Sequence, residues 1–324
     1  MPYLGPVRAF VSIIALSVAA PACTSIEVQR LGEGREDVTS SVTSSGGQMG
    51  VGGNDGAGGA ASDPTRLPDW SGAMLGAYDF EGDSLGTDTS GNGRNLMERD
   101  APTVDDDART GQRAMAAGLT PMPAGLDAVT ERALEIGNAG LTFGGWVRPD
   151  ELPPTGGLRL FMSKAAPGAQ QGYIMEWISE ASLGYPNCAL GWETTWQNAN
   201  ATGRFSLGTW IHVVCRFFRD PNTVTTFVDG ANDRVNDDDN PIVPASDEFF
   251  RINDPQRSIG AAYDDVFVTD LVLTEAAIRR IWACGVDGSN CRCDPADRRD
   301  YTDCAAAVDC ASLPPCDLET PPTR

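Results

Sequence analysis

The side chains in this chain that could do chemistry are few and widely spaced. A single histidine, His212, stands in a sequence of 324 residues with nine cysteines and 45 acidic residues. A Ser-His-Asp or Cys-His mechanism would have to run through it. His212 lies inside the apolar run Trp210-Ile-His-Val-Val-Cys-Arg-Phe-Phe218, where a histidine is expected to be a satisfied, structural member of a strand. Nucleophilic triad chemistry is rejected on that ground. Two glutamates, Glu176 and Glu180 of Tyr173-Ile-Met-Glu-Trp-Ile-Ser-Glu180, fall on one face of a strand. Four residues of strand separate them by about 13 Å, whereas a retaining glycosidase needs carboxylates about 5–5.5 Å apart. The chain is therefore expected not to be an enzyme, with glycoside hydrolysis as the enzymatic alternative.

Aromatic side chains suggest binding instead. Tyr185, Trp192 and Trp196 lie within twelve residues of a Gly/Asn-rich stretch, and sugars are held by stacking on flat rings beside a few fixed polar groups. Trp196, in Glu193-Thr-Thr-Trp-Gln-Asn198, has the most polar neighbours. Trp146, Trp210 and Trp282 are assigned to the core. The acidic run Asn236-Asp-Asp-Asp-Asn240 lacks the spacing of an EF-hand loop and is read as solvated.

Cysteines and the two ends of the chain bear on the address. Ala9 to Ala20 is an apolar run behind Arg8, too short for a comfortable membrane span, so residues 1–22 read as a signal peptide. Ala20-Pro-Ala22 suits ordinary signal peptidase, and Ala20-Pro-Ala-Cys23 is also similar to a bacterial lipobox. Lipidation of Cys23 would leave eight cysteines, an even number. Free secretion is the alternative. Residues 23–67 are Ser/Thr- then Gly/Ala-rich and carry too little apolar mass to offset the entropy of ordering them, as expected of a disordered tether. Cys284, Cys291, Cys293, Cys304, Cys310 and Cys316 crowd into a tail of residues 284–324. Without histidine, and with Cys291-Arg-Cys293 too tight for a zinc knuckle, disulfides are expected there. Six cysteines allow 15 connectivities. Cys188 and Cys215 then remain for each other by elimination, tying two neighbouring strands.

The net charge is −21, and one lysine, Lys164, stands against 23 arginines. Nucleic acid is excluded as a partner because phosphate contacts need a basic face. Acidity itself is read as solubility.

Positioning these residues falls to a region of residues 68–283, made of short β-rich runs split by Gly, Pro, Asn and Asp. Trp210–Phe218 and Thr223–Gly230 flank Arg219-Asp-Pro-Asn222 and read as an antiparallel hairpin. Its two faces are both apolar, with Ile211, Val213, Cys215 and Phe217 on one and Trp210, His212, Val214 and Phe218 on the other. Both are expected to be covered, as in a sandwich. Other strands are expected at Ala73–Phe80, Leu141–Val147, Leu158–Ser163, Tyr173–Ile178, Ala189–Trp192, Val224–Val228, Ser258–Ile259 and Ala262–Leu273. The one helical pattern is Thr274–Trp282, with Thr274 as N-cap.

Four segments carry a family resemblance. They are Ala77-Tyr-Asp-Phe-Glu-Gly-Asp83 with Asp88-Thr-Ser-Gly-Asn-Gly93, Leu141-Thr-Phe-Gly-Gly-Trp-Val-Arg-Pro149, the hairpin with its Trp-x-His-Val start, and Asp264-Asp-Val-Phe-Val-Thr-Asp-Leu-Val-Leu-Thr-Glu-Ala-Ala-Ile278. In order and spacing they resemble the concanavalin A-like, laminin-G-like jelly-roll family. The resemblance implies an all-β jelly-roll sandwich with a short late helix, here followed by the small disulfide-rich tail. It also implies non-catalytic binding of glycan, or of an envelope or extracellular protein. A structural calcium is implied as well, held by Asp79, Gly82 and Asp83 with Asp264 or Asp265. The expected whole is an exported protein of the bacterial envelope, touching membrane only through its N-terminal lipid.

Overall fold

A computed structural model describes residues 71–119, 122–131, 133–135, 140–152, 158–166, 170–180, 183–192, 195–219, 222–237 and 246–287. The expected signal peptide, Cys23, the expected tether and the tail cysteines Cys291 to Cys316 lie outside the described residues. The strands run β1 (Gly76–Tyr78), β2 (Leu96–Arg99), β3 (Thr103–Asp105), β4 (Ala114–Ala117), β5 (Gly125–Ala128), β6 (Gly140–Glu151), β7 (Leu158–Ala166) and β8 (Gln171–Glu180). They continue as β9 (Leu183–Trp192), β10 (Thr195–Asn200), β11 (Phe205–Ser206), β12 (Ile211–Arg219), β13 (Asn222–Val228), β14 (Ala231–Asn236), β15 (Arg251–Ile252) and β16 (Gly260–Thr269). One helix, α1 (Glu275–Cys284), follows.

These strands build two antiparallel sheets. Sheet A has the order β14-β13-β12-β6-β16-β4-β3, with β1 added beside β16. Sheet B has the order β10-β9-β8-β7-β15-β5-β2, with β11 beside β9. Alternation along each strand sends every second side chain to the space between the sheets. There Ile211, Val213, Cys215 and Phe217 of β12 meet Tyr173, Met175 and Trp177 of β8 in one apolar cluster. Burying each such side chain contributes on the order of 1.5–3 kcal/mol. The expected hairpin forms with Arg219 opposite Asn222, and its outward residue Val214 is covered too.

The cover on that side is α1. Thr274 caps it by accepting the Ala277 N–H at 3.1 Å, and Ala277, Ile278 and Ile281 pack on Val214, Phe227 and Phe267 of sheet A. Val286 joins the same cluster, so the packed unit runs past residue 283. The β13–β14 link is Asp229-Gly230, with Val228 opposite Ala231 and φ of 49° and 74° at the two turn residues. That is a type I′ hairpin turn, which glycine at its second position makes easy. Trp282 lies directly over Gly230, 2.9 Å from where a Cβ would sit.

Cys188 of β9 and Cys215 of β12 are disulfide-bonded, with Cα atoms 5.4 Å apart. Their pairing agrees with the elimination argument. Their placement corrects it: the bond crosses the core from sheet B to sheet A and does not join neighbours within one sheet. The Asp88-to-Gly93 turn is organised by one carboxylate, since Asp88 accepts the N–H groups of Ala77, Ser90 and Arg94. Lys164 turns inward from β7, fully buried, and donates to the backbone carbonyls of Glu131 and Glu248. Burial lowers its pKa, partly offset by Glu135, Asp247, Glu248 and Glu131 around it.

Candidate binding site on the outer face of sheet B

Sheet A hides its outer face under α1, but among the described residues no helix covers the outer face of sheet B. Register places Tyr185, Asn187 and Ala189 of β9, Ile174, Glu176 and Ile178 of β8, and Trp196 and Asn198 of β10 on that face. Tyr185 and Trp196 thus share a face. Only the backbone of Trp192 is described, as the last residue of β9.

Trp196 is half-buried and rests on Leu160, Ala165, Ile174 and Ala189, a small apolar cluster separate from the core. Tyr185 is half-buried under Arg204, whose guanidinium carbon stands 3.9 Å from the ring centre. Arg204 in turn pairs with Glu180 at 2.7 Å. One face of Tyr185 is therefore occupied by a cation, and Trp196 is the ring with fewer polar covers. Between the two rings lies an amide row. Asn187 donates from Nδ2 to Glu176 Oε2 and to Asn198 Oδ1, both at 2.8 Å. Burial raises the Glu176 pKa, while the Asn187 hydrogen bond and the Arg257 charge lower it.

The two glutamates weighed for hydrolysis are thus committed separately, Glu176 to Asn187 and Glu180 to Arg204. His212 is wholly buried on β12, its ring 5.1 Å from that of Trp146. Burial, with Arg109 nearby, pushes its pKa down to about 3, so it stays neutral. Its backbone N–H is satisfied by Asp229, but neither ring nitrogen has a hydrogen-bond partner. The histidine is structural, as expected, though its ring is not satisfied. Trp146 is core, whereas Trp210 and Trp282 are half-buried, and the fully enclosed Trp177 takes a core place the sequence did not mark.

Of the residues expected to hold calcium, Asp79 lies near Asp265, whereas Asp264 turns to other partners. A bulge in β16 between Asp264 and Phe267, with Asp265 at φ 46°, turns consecutive carboxylates apart. Asp264 accepts the N–H groups of Arg109 and Thr110, each at 2.7 Å, and the Thr110 hydroxyl at 3.0 Å. Asp265 accepts the Val286 N–H at 2.9 Å, and burial with Asp287 and Asp79 nearby raises its pKa to about 7. Asp79 accepts the Glu81 N–H, the Gly82 carbonyl accepts from Arg113, and Asp83 is exposed. Among the described residues no group of three or more His, Cys, Asp or Glu is placed to hold a metal ion. Asp79, Asp264 and Asp265 each already accept at least one backbone N–H.

Two antiparallel sheets packed face to face, closed by one late helix, define a jelly-roll sandwich. Residues 124–279 match the family described as the Concanavalin A-like lectin/glucanases superfamily, laminin G type, and the sandwich is a concanavalin A-like fold. Among curated proteins nothing matches the chain. Among solved structures it is similar to the binding domain of Paraclostridial Mosquitocidal Protein 1, at 11% identity and a TM-score of 0.53, over 66% of this chain and 52% of that one. It is also similar to domain 4 of AbnA, a GH43 extracellular arabinanase from Geobacillus stearothermophilus, in complex with arabinotriose. That match has 15% identity and a TM-score of 0.49, over 64% of this chain and 96% of that one. The botulinum neurotoxin serotype C1 binding domain is similar at 12% identity and a TM-score of 0.47, over 66% and 52%. The chain spans about half the length of the toxin domains it matches. At such identities the likeness is one of fold.

Proposed function

We propose that this protein is a non-catalytic binding module that takes glycan on the outer face of sheet B. The carrying observation is Trp196, half-buried on an apolar bed beside the Asn187–Asn198–Glu176 row. A flat ring beside fixed hydrogen-bonding groups is the arrangement sugars use, with one apolar face stacked and hydroxyls read at the edge. Lipid at Cys23 and the tether of residues 23–67 would hold this module at the bacterial envelope. A screen of the purified, oxidised protein on a glycan array, with Trp196→Ala beside it, tests the reading. Binding by the wild type and its loss in Trp196→Ala at unchanged melting temperature supports it. A blank array with folded protein transfers the role to an envelope or extracellular protein partner, and turnover of any bound polysaccharide sinks the non-catalytic assignment. Repeating the screen with chelator tests whether a metal takes part in binding.

A further inference from the structure

The hydrogen-bond polarity of the same face narrows the ligand, given the glycan-binding reading above. Asn187 is 1% exposed and spends both amide hydrogens inside the protein, on Glu176 and on Asn198. Flipping the amide would set its oxygen against two other oxygens, so the network fixes its orientation. Its Oδ1 is then a buried acceptor with no partner. A buried acceptor left unmade costs on the order of 1–3 kcal/mol, which a ligand donor would recover. Two neighbouring amides each spend a hydrogen inside the protein. Asn198 donates from Nδ2 to the Trp196 carbonyl, and Asn236 donates from Nδ2 to the Asn198 carbonyl. What Asn187 leaves for a ligand is an acceptor, its Oδ1, beside the Glu176 carboxyl.

Charge points the same way. Arg204 is paired with Glu180, Arg251 lies 3.5 Å from Glu248 and 3.7 Å from Asp254, and Arg257 faces Glu176. The chain as a whole carries −21. A carboxylate or sulfate on a sugar would bring further acceptors to Asn187 Oδ1 and further negative charge beside the Glu176 carboxyl. Register puts Trp196 opposite Gly191 and Asn187 opposite Asn200, four residues apart, or about 13 Å along the strand. That distance exceeds one sugar ring.

We infer that this face selects a neutral, hydroxyl-rich oligosaccharide, one ring stacked on Trp196 and another giving hydroxyl protons to Asn187 Oδ1 and the Glu176 carboxyl. Sugars bearing carboxylate or sulfate are rejected. The test is a panel of neutral hexose and pentose oligosaccharides beside uronic-acid-containing and sulfated ones of equal length, followed by titration calorimetry of the best binder. The expected result is binding of neutral members only, with an affinity insensitive to salt. Glu176→Gln, which keeps shape and removes charge, is expected to weaken it about tenfold, and Asn187→Ala by at least as much. Asn187→Ala can also disturb the sheet, so melting curves accompany both variants and Glu176→Gln carries the decision. Preference of the wild type for acidic sugars, with Arg257 as their reader, overturns the inference while leaving the lectin intact. Neutral binding that Glu176→Gln leaves unchanged overturns it as well and moves the site elsewhere. Binding to no sugar, with folded protein, overturns the inference together with the glycan reading beneath it.

Discussion

Removing the Cys188–Cys215 bridge by the double substitution Cys188→Ala and Cys215→Ala tests how the two sheets are held. The bond closes a loop with a sequence separation of 27 residues. The chain-entropy relation for such a loop gives about 3.5 kcal/mol of stabilisation, exerted on the unfolded chain. Both cysteines are wholly enclosed between the sheets, so deleting two sulfur atoms from a packed core adds on the order of 1 kcal/mol. A total near 4–5 kcal/mol is a large part of the roughly 5–15 kcal/mol that folded domains have. Urea unfolding of the oxidised protein and of the double variant, followed by tryptophan fluorescence, measures it. The variant should lose that amount and show a steeper denaturant slope, because an uncrosslinked chain exposes more surface on unfolding. A loss below about 1 kcal/mol with an unchanged slope would refute the reasoning, since the bridge would then not constrain the unfolded ensemble.

Asp265 gives a pH prediction. Its folded pKa, about 7, lies above the ordinary carboxylate range, so between about pH 4 and pH 7 the folded state binds more protons than the unfolded one. Stability conferred at low pH is therefore lost as pH rises through that window. Asp265→Asn keeps an acceptor for Val286, tolerates φ 46°, and should gain about 2–4 kcal/mol at pH 8 but little at pH 4. Thermal melts at both pH values decide it, and a loss at pH 8 that appears only with calcium would make Asp265 a metal ligand. Gly230→Ala should cost about 1–3 kcal/mol, because φ 74° and the overlying Trp282 both oppose a Cβ. An unchanged melting temperature would mean the type I′ turn is not formed. Thr274→Ala should cost about 1 kcal/mol through the lost N-cap, whereas Thr274→Ser should be nearly neutral.

Strands rich in aromatic and β-branched residues were legible in the sequence, and β6, β8, β12, β13 and β16 form where their runs lie. The expected strand at Ser258–Ile259 did not form; the pairing there belongs to Arg251–Ile252 of β15. Others could not be read. Ala114-Met-Ala-Ala117, Gly125-Leu-Asp-Ala128 and Ala231-Asn-Asp-Arg-Val-Asn236 have poor strand propensity and become strands through the neighbours they pair with. Cys188 and Cys215 were findable because no other cysteine lay outside the two ends. Which layers they join depended on sheet assignment, a long-range property that local pattern does not carry. Tyr185 and Trp196 could be named from composition, but their common face follows from the β9–β10 register. Asn187 gave no signal, since its importance comes from hydrogen bonds to two partners each eleven residues away. The bulge that sends Asp264 and Asp265 to different neighbours could not be read from local pattern either.

The placement of Lys164 has a practical reach. It is the one lysine of the sequence, and it is sealed inside β7 against two carbonyl oxygens. Amine-reactive dyes, biotin esters and lysine crosslinkers find no lysine target on the folded module. Sensor chips that couple through surface amines will capture it poorly, so affinity work calls for a carboxyl-directed or tag-based attachment. The same seal makes lysine acylation a reporter: modification of Lys164 marks only molecules whose sheet B has opened.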